Sequence, residues 1–170
     1  MRIYSPDFAY GTEIPERYTC EGEDISPPLV FEAVPRQAKS LALIVEDPDA
    51  PDPENPQRIW THWVVHNIPP MYELDPLEPE CLKKGASGSD MPEGAVEGYN
   101  DWEKIGYGGP CPPIGRHRYF FKLYALDTTL PDKPMTREEL LAAMEGHILE
   151  KAETMGTYRK RKTEETAEAA

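Results

Sequence analysis

The sequence is short of cysteine, of positive charge and of long apolar runs. Its three cysteines, Cys20, Cys81 and Cys111, are widely spaced and form no C-x-x-C pair. Zinc-ribbon and thioredoxin chemistry are thereby excluded, and three reduced thiols are expected. Lys+Arg number 18 against 31 Asp+Glu, a formal net charge of −13. A general field of that sign repels nucleic acid and anionic membrane surfaces, so an anion site would need its own local donors. No apolar run exceeds the five residues Leu41–Val45, far short of a membrane-spanning helix. The opening Met1-Arg2-Ile3-Tyr4-Ser5-Pro6 lacks the apolar stretch of a secretory signal. A cytoplasmic location without integral membrane association is the expectation. Several named sites also fail on their own residues. In the calcium-loop-like Asp47-Pro48-Asp49, Pro51 and Asp52 occupy the third ligand and sharp-turn glycine positions. Gly106-Tyr107-Gly108 starts a dinucleotide fingerprint, but Cys111 replaces its third glycine. There is no P-loop and no G-x-S-x-G nucleophile elbow.

What is present is turn chemistry. The 170 residues, one domain's worth, hold 19 prolines and 12 glycines. Between them lie apolar runs of strand length: Leu29-Val30-Phe31, Ser40–Val45, Ile59–Ile68 and Arg118–Leu126. This pattern predicts an all-β sandwich. One segment reads as a helix. Thr136-Arg137-Glu138-Glu139 has the form of a capping box, and Leu140, Leu141, Met144, Ile148 and Leu149 follow at helical spacing. The helix is expected to end before Gly156, with Thr157-Tyr158 adding a last short strand. A single domain over 1–158 is then followed by a polar tail, 159–170, read as disordered. Two long loops, Glu46–Gln57 and Gly85–Gly115, have the proline and glycine content of shaped loops.

Four histidines are the main chemical resource: His62, His66, His117 and His147. His147 falls on the predicted helix and reads as a surface or capping residue. His62 and His66 are four apart on a strand, which places them on one face with Trp60 and Val64. His117 and Tyr119 share a face directly after Gly108-Gly109-Pro110-Cys111-Pro112-Pro113-Ile114-Gly115-Arg116. Glycine N–H groups of that loop can form an anion nest, with the prolines as stiff walls. Added to His62, Asp47 and Trp60, this makes a small pocket with donors, one carboxylate and an aromatic rim. The bland alternative is a satisfied structural network at the end of a sandwich. A metal site on His62, His66, His117 and Asp47 matches no known ligand spacing, and none is expected.

Two ordered motifs carry a resemblance. One is Asp47-Pro48-Asp49-Ala50-Pro51 followed by Trp60-Thr61-His62-Trp63, and the other is Gly108-Gly109-Pro110-Cys111-Pro112-Pro113-Ile114-Gly115-Arg116-His117-Arg118-Tyr119. With Tyr18-Thr19-Cys20-Glu21-Gly22, Gly98-Tyr99-Asn100-Asp101 and Leu123–Asp127, they resemble the prokaryotic, Raf-kinase-inhibitor-like branch of the phosphatidylethanolamine-binding protein family. The resemblance implies a mainly β, Greek-key sandwich with one or two short helices near the C-terminus. It implies a pocket for phosphate or phosphoryl head groups lined by Asp47, Trp60, His62, Gly109, Pro110, His117 and Tyr119. Gln57 stands where the family has a tyrosine, a departure that bears on head-group selectivity. The resemblance also implies a cis bond just before Trp60, at Arg58-Ile59, and is compatible with a homodimer.

The expected function is a non-catalytic binding module, without cofactor. It takes a phosphorylated small molecule or phospho-residue and modulates a partner protein in the kinase-inhibitor manner. No nucleophile with an adjacent base is evident. The alternatives are a serine protease inhibitor presenting the proline-rich Asp47–Pro56 loop and, less favoured, a phosphoester-processing enzyme using His62, His117 and Asp47. Anion affinity is expected to rise as pH falls toward about 6.5, because an imidazolium donates twice and adds charge.

Overall fold

In the computed structural model, which describes residues 1–161, the apolar runs become strands. These are β1 (Arg2–Tyr4), β2 (Val30–Glu32), β3 (Ser40–Ala50), β4 (Arg58–Ile68), β5 (Val96–Glu97), β6 (Arg116–Leu126) and β7 (Ile148–Arg159). A single 3-10 turn, Glu16–Tyr18, precedes β2, and one α-helix, α1 (Arg137–Met144), precedes β7. β1 and β2 form a two-stranded sheet; the other five pair antiparallel in the order β5-β4-β3-β6-β7. β3, β4 and β5 follow one another and β6 returns beside β3, which is Greek-key connectivity. Among the described residues, no helix is long and apolar enough to cross a membrane.

The central strand is buried on both faces, which is why Leu41–Val45 is continuously apolar rather than alternating. On one face, Leu41, Leu43 and Val45 pack with Trp63, Val65, Phe121 and Leu123 beneath Ile3, Phe31 and the N-terminal loops. On the other, Ala42 and Ile44 pack with Val64, Tyr124 and Leu126 beneath Leu140 and Met144 of α1. The capping box forms as the sequence predicts: Glu139 N–H donates to Thr136 Oγ1 at 3.2 Å and Thr136 N–H donates to Glu139 Oε1 at 3.1 Å.

Three expectations are corrected here. The helix ends at Met144, well before Ile148 and Leu149, because Gly146 takes a positive φ of 82°. His147 therefore lies past the helix, paired with Asp127 at 2.8 Å. The short strand expected at Thr157-Tyr158 is a twelve-residue strand that pairs with the whole of β6, from Arg116↔Arg159 to Leu126↔Ile148. Gly156 lets this strand approach the N-terminal segment: a Cβ there would stand 2.5 Å from Ile14 Cγ1 and 2.9 Å from Phe8 Cε2. Finally, the cis bond is Ala50-Pro51 and not Arg58-Ile59, at an X–Pro link where the cis form costs least. Most of the expected tail, from residue 162 on, lies outside the described residues.

Candidate functional site

A β-bulge shapes the site. Val45 pairs with Trp63 and Glu46 with Thr61, so His62 is the extra residue of β4. The bulge breaks the simple alternation that places His62 with His66 and Val64. His62 packs edge-on against Tyr119 of β6, with ring centroids 5.1 Å apart. Val64 joins the α1 side of the sheet, and the second imidazole, His66, bonds through Nε2 to the Pro131 carbonyl at 2.8 Å. His66 is thus a structural residue away from the site.

On the His62 side, Asp47 of β3, Trp60 and His62 of β4, and His117 and Tyr119 of β6 line one cavity of about 310 Å³. Ala50, Pro51, Arg58, Trp102, Cys111, Pro112 and Pro113 complete its wall. Trp102 comes from the long glycine-rich loop. Asp101 fixes that loop to β4: its N–H donates to Thr61 O at 2.9 Å and its carboxylate accepts from Thr61 N–H at 2.7 Å. The Trp102 ring then meets Trp60 at 5.5 Å and His62 at 5.1 Å, both edge-on. Such contacts contribute about 0.5–1.5 kcal/mol each beyond area burial. Gly108 makes room for this indole, since a Cβ there would stand 2.4 Å from it. Sequence reasoning missed Trp102 because nothing in its neighbours signals that contact.

Gly109 and Pro110 stand apart from this lining. Gly109 packs so closely on Tyr18 that a Cβ would stand 2.3 Å from the Tyr18 carbonyl oxygen. The N–H groups expected to form an anion nest are already committed: Gly109 N–H donates to Asp24 Oδ1 at 2.7 Å, and Gly108 N–H to His62 O at 3.0 Å. The Pro110 carbonyl accepts from Cys20 N–H at 3.1 Å. Beside it, Cys20 and Cys111 form a disulfide across 91 residues. This corrects the expectation of three reduced thiols; Cys81 alone is free, and it is buried. Two distant loops each contribute one cysteine, a pairing that local spacing cannot reveal. The glycine-rich loop is therefore a braced wall.

The two histidines are in different states. His117 is fully buried, with Nδ1 2.5 Å from Asp47 Oδ2 and Nε2 2.8 Å from the Ile114 carbonyl. A carbonyl only accepts, so Nε2 carries a hydrogen, and Asp47 takes the hydrogen of Nδ1. Burial works against the imidazolium, but Asp47, Ile114 and Asp49 outweigh it and raise the His117 pKa. His62 is lowered instead: burial dominates over the Gly108 carbonyl and the charges of Asp47, Asp101 and Asp24. Its Nδ1 donates to Gly108 O at 2.7 Å, which leaves Nε2 as a lone pair with no partner among the described residues. Falling pH therefore adds a donor to this cavity at His62, below the ordinary histidine range, and not at His117.

Two further polar atoms of the lining, Trp60 Nε1 and Tyr119 Oη, are buried without a partner. Burial, foremost, and nearby charge raise the Tyr119 pKa, so its hydroxyl keeps its proton. Around this centre, Arg118 closes a bidentate pair on Asp49 at 2.9 and 3.0 Å, which settles a second buried carboxylate. Arg58 stands exposed at the mouth with no ion-pair partner among the described residues.

Comparison with known proteins agrees with the motifs. Residues 4–159 match the family model described as phosphatidylethanolamine-binding protein. A UPF0098 protein of Methanothermobacter thermautotrophicus is 53% identical over 161 residues, covering 94% of this chain and 99% of its own. The crystal structure of a phosphatidylethanolamine-binding protein homologue from Chlamydia trachomatis is 48% identical, with TM-score 0.81, over 94% of this chain and 97% of that one. The structure of YbcL from Escherichia coli, described as a member of the mammalian family, is 32% identical, with TM-score 0.79, over 94% and 98%.

Proposed function

The chain belongs to the phosphatidylethanolamine-binding protein family, and from that premise we propose that it is a non-catalytic binding module whose cavity takes phosphate or a phosphoryl head group. One observation carries the reading. Trp60 and Tyr119 line the cavity, their only polar side-chain atoms, Nε1 and Oη, are buried without a partner among the described residues, and leaving such groups unpaired costs about 1–3 kcal/mol apiece. A small oxyanion fits the space and supplies acceptors. The ligand residues are Asp47, Trp60, His62, His117 and Tyr119, with Trp102 as an aromatic wall. Gly109 and Pro110 act through the loop they shape. The loaded site, on a free molecule or on a phosphorylated side chain, is read by a partner protein.

The lining favours binding over turnover. Cys111 is held in a disulfide and both nitrogens of His117 are engaged, so of the groups that could act as nucleophile or base only the His62 Nε2 lone pair is open. The Asp47–Pro56 segment suits a protease cleft poorly, because Asp47 and Asp49 are buried and bonded and only its tip beyond Pro51 is free. The disulfide also weighs on location. Such bonds persist in oxidising compartments and in the cytosol of hyperthermophiles, so the proposed setting is one of these and not a reducing mesophilic cytoplasm.

The test is calorimetric titration of inorganic phosphate and phosphoethanolamine into wild type, His62→Ala and His117→Ala. Saturable binding in the wild type, weakened in both variants, is the expected result. Absence of binding in the wild type overturns the reading.

A further inference from the structure

The cavity is not a purely donating anion site. Two side chains of its lining offer hydrogens: the Trp60 indole and the Tyr119 hydroxyl, both without partners among the described residues. Two others only accept. The Asp47 carboxylate takes hydrogens from His117 Nδ1 and from Asp49 N–H, at 2.5 and 2.7 Å, and keeps lone pairs to spare. His62 Nε2 is an unengaged lone pair, because Nδ1 donates to Gly108. Burial, against the groups that face it, holds His62 in that state. Asp47 on β3, Asp101 and Asp24 from the loops, and the Gly108 carbonyl favour a second proton, and burial overrides them. The remaining neighbours are Trp102 and Tyr119, neither charged. The His117 charge is committed to Asp47 and Ile114.

An oxyanion with no hydrogen satisfies only half of this set. Its oxygens accept from Trp60 and Tyr119, but they also meet a carboxylate and an imidazole lone pair, acceptor against acceptor. An oxyanion that still carries an O–H satisfies both halves. We propose that this site selects an oxyanion bringing its own proton, a protonated phosphoryl or phosphonyl group, and rejects a fully ionised sulfuryl group of the same size and shape. The inference rests on the phosphoryl-binding reading above and narrows it to one protonation class. His62 is the specificity-determining residue, with Asp47 as the second acceptor.

Inorganic phosphate and sulfate are the probes, titrated at equal ionic strength near pH 6. There inorganic phosphate keeps at least one O–H in both its mono- and dianionic forms and sulfate keeps none, whereas a phosphate ester, with a second pKa of about 6, is half protonated. Phosphate is expected to bind at least about tenfold more tightly, the cost of one unmet hydrogen bond to a charged or strongly accepting group. Equal binding of the two ions overturns the inference and leaves the phosphoryl-binding reading standing. Binding of neither ion overturns that reading, and the inference with it. His62→Phe, checked for folding by thermal melting, removes the lone pair and keeps a ring. It is expected to narrow the phosphate-to-sulfate ratio to within about threefold. A ratio kept at tenfold or more in that variant overturns the role given to His62. If His62→Phe does not fold, the wild-type contest still decides the inference.

Discussion

Glu46 and Asp47 are neighbours on β3 and point to opposite faces of the sheet. Both are buried. On the α1 side, the Glu46 carboxylate is held by Lys122 at 3.6 Å and by Arg137 at 3.4 Å, cations from β6 and from the start of α1. On the cavity side, the Asp47 carboxylate is matched by His117, and the polar atoms around that pair are left open. The contrast extends to the atoms without partners. On the α1 side these are His66 Nδ1 and Arg137 Nε, each in a group bonded through another nitrogen. At the cavity they are Trp60 Nε1 and Tyr119 Oη, the only polar atoms their side chains have. On the α1 side each of these side chains is still anchored through another of its nitrogens; at the cavity the two side chains make no hydrogen bond among the described residues, and on that difference the ligand proposal rests. Burial and charge alone do not mark a site, since both faces have them. Incomplete pairing around a cavity does.

The comparison can be broken first through the loop that walls the cavity. The Cys20–Cys111 bond closes a loop of 91 residues, so replacing both cysteines with serine is expected to cost about 2–5 kcal/mol by urea denaturation. A variant as stable as the wild type would mean the wall stands without that bond. On the paired face, Glu46→Ala leaves two cations facing a void. Breaking a buried pair in this way costs about 3–5 kcal/mol, and the low end is expected here because Lys122 is one-third exposed. Phosphate affinity should change little, because Glu46 is not part of the cavity wall. Loss of phosphate binding in folded Glu46→Ala would erase the distinction between the faces.

Titration sharpens the same contrast within the cavity. His117 has a raised pKa, so the stability it contributes is complete below about 6.5 and is lost as pH rises through the raised value. His62 has a lowered pKa, so its contribution is present above about 6.5 and is lost as pH falls through the lowered value. Stability measured in urea from about pH 5 to 8 should therefore decline at both ends. His117→Gln should remove the decline at high pH and leave the acid one. A decline at high pH that persists in that variant would show that His117 does not carry it.

Much of this was legible in the residues, and the failures share a cause. Leu41–Val45 and the aromatic run of β6 announce strands because burial leaves a pattern along the chain. Thr136 and Glu139 announce a helix start because the cap is local. The helix end is not legible because Ile148 and Leu149 continue a 3.6-residue period, although this stretch opens the strand that pairs with β6. Asp47, Trp60, His62, His117 and Tyr119, expected together at a pocket, line one cavity. The Gly109 N–H that the glycine-rich pattern offers to a ligand goes instead to Asp24. His66 was placed beside His62 because a bulge is invisible in an alternating pattern. Trp102 and the Cys20–Cys111 bond depend on which loops meet, and such meetings leave no local trace.

The smallest change in stability provides the sharpest test. Tyr119→Phe removes a buried hydroxyl with no partner among the described residues. If incomplete pairing marks the ligand site, the variant should be as stable as the wild type or more stable by up to about 1 kcal/mol, yet bind phosphate less tightly. Urea denaturation and phosphate calorimetry on the same preparation give both numbers. Unchanged or raised stability with weakened binding is the predicted result. Lost stability with unchanged phosphate affinity would contradict the account, for it would show that the hydroxyl serves the fold and not the ligand.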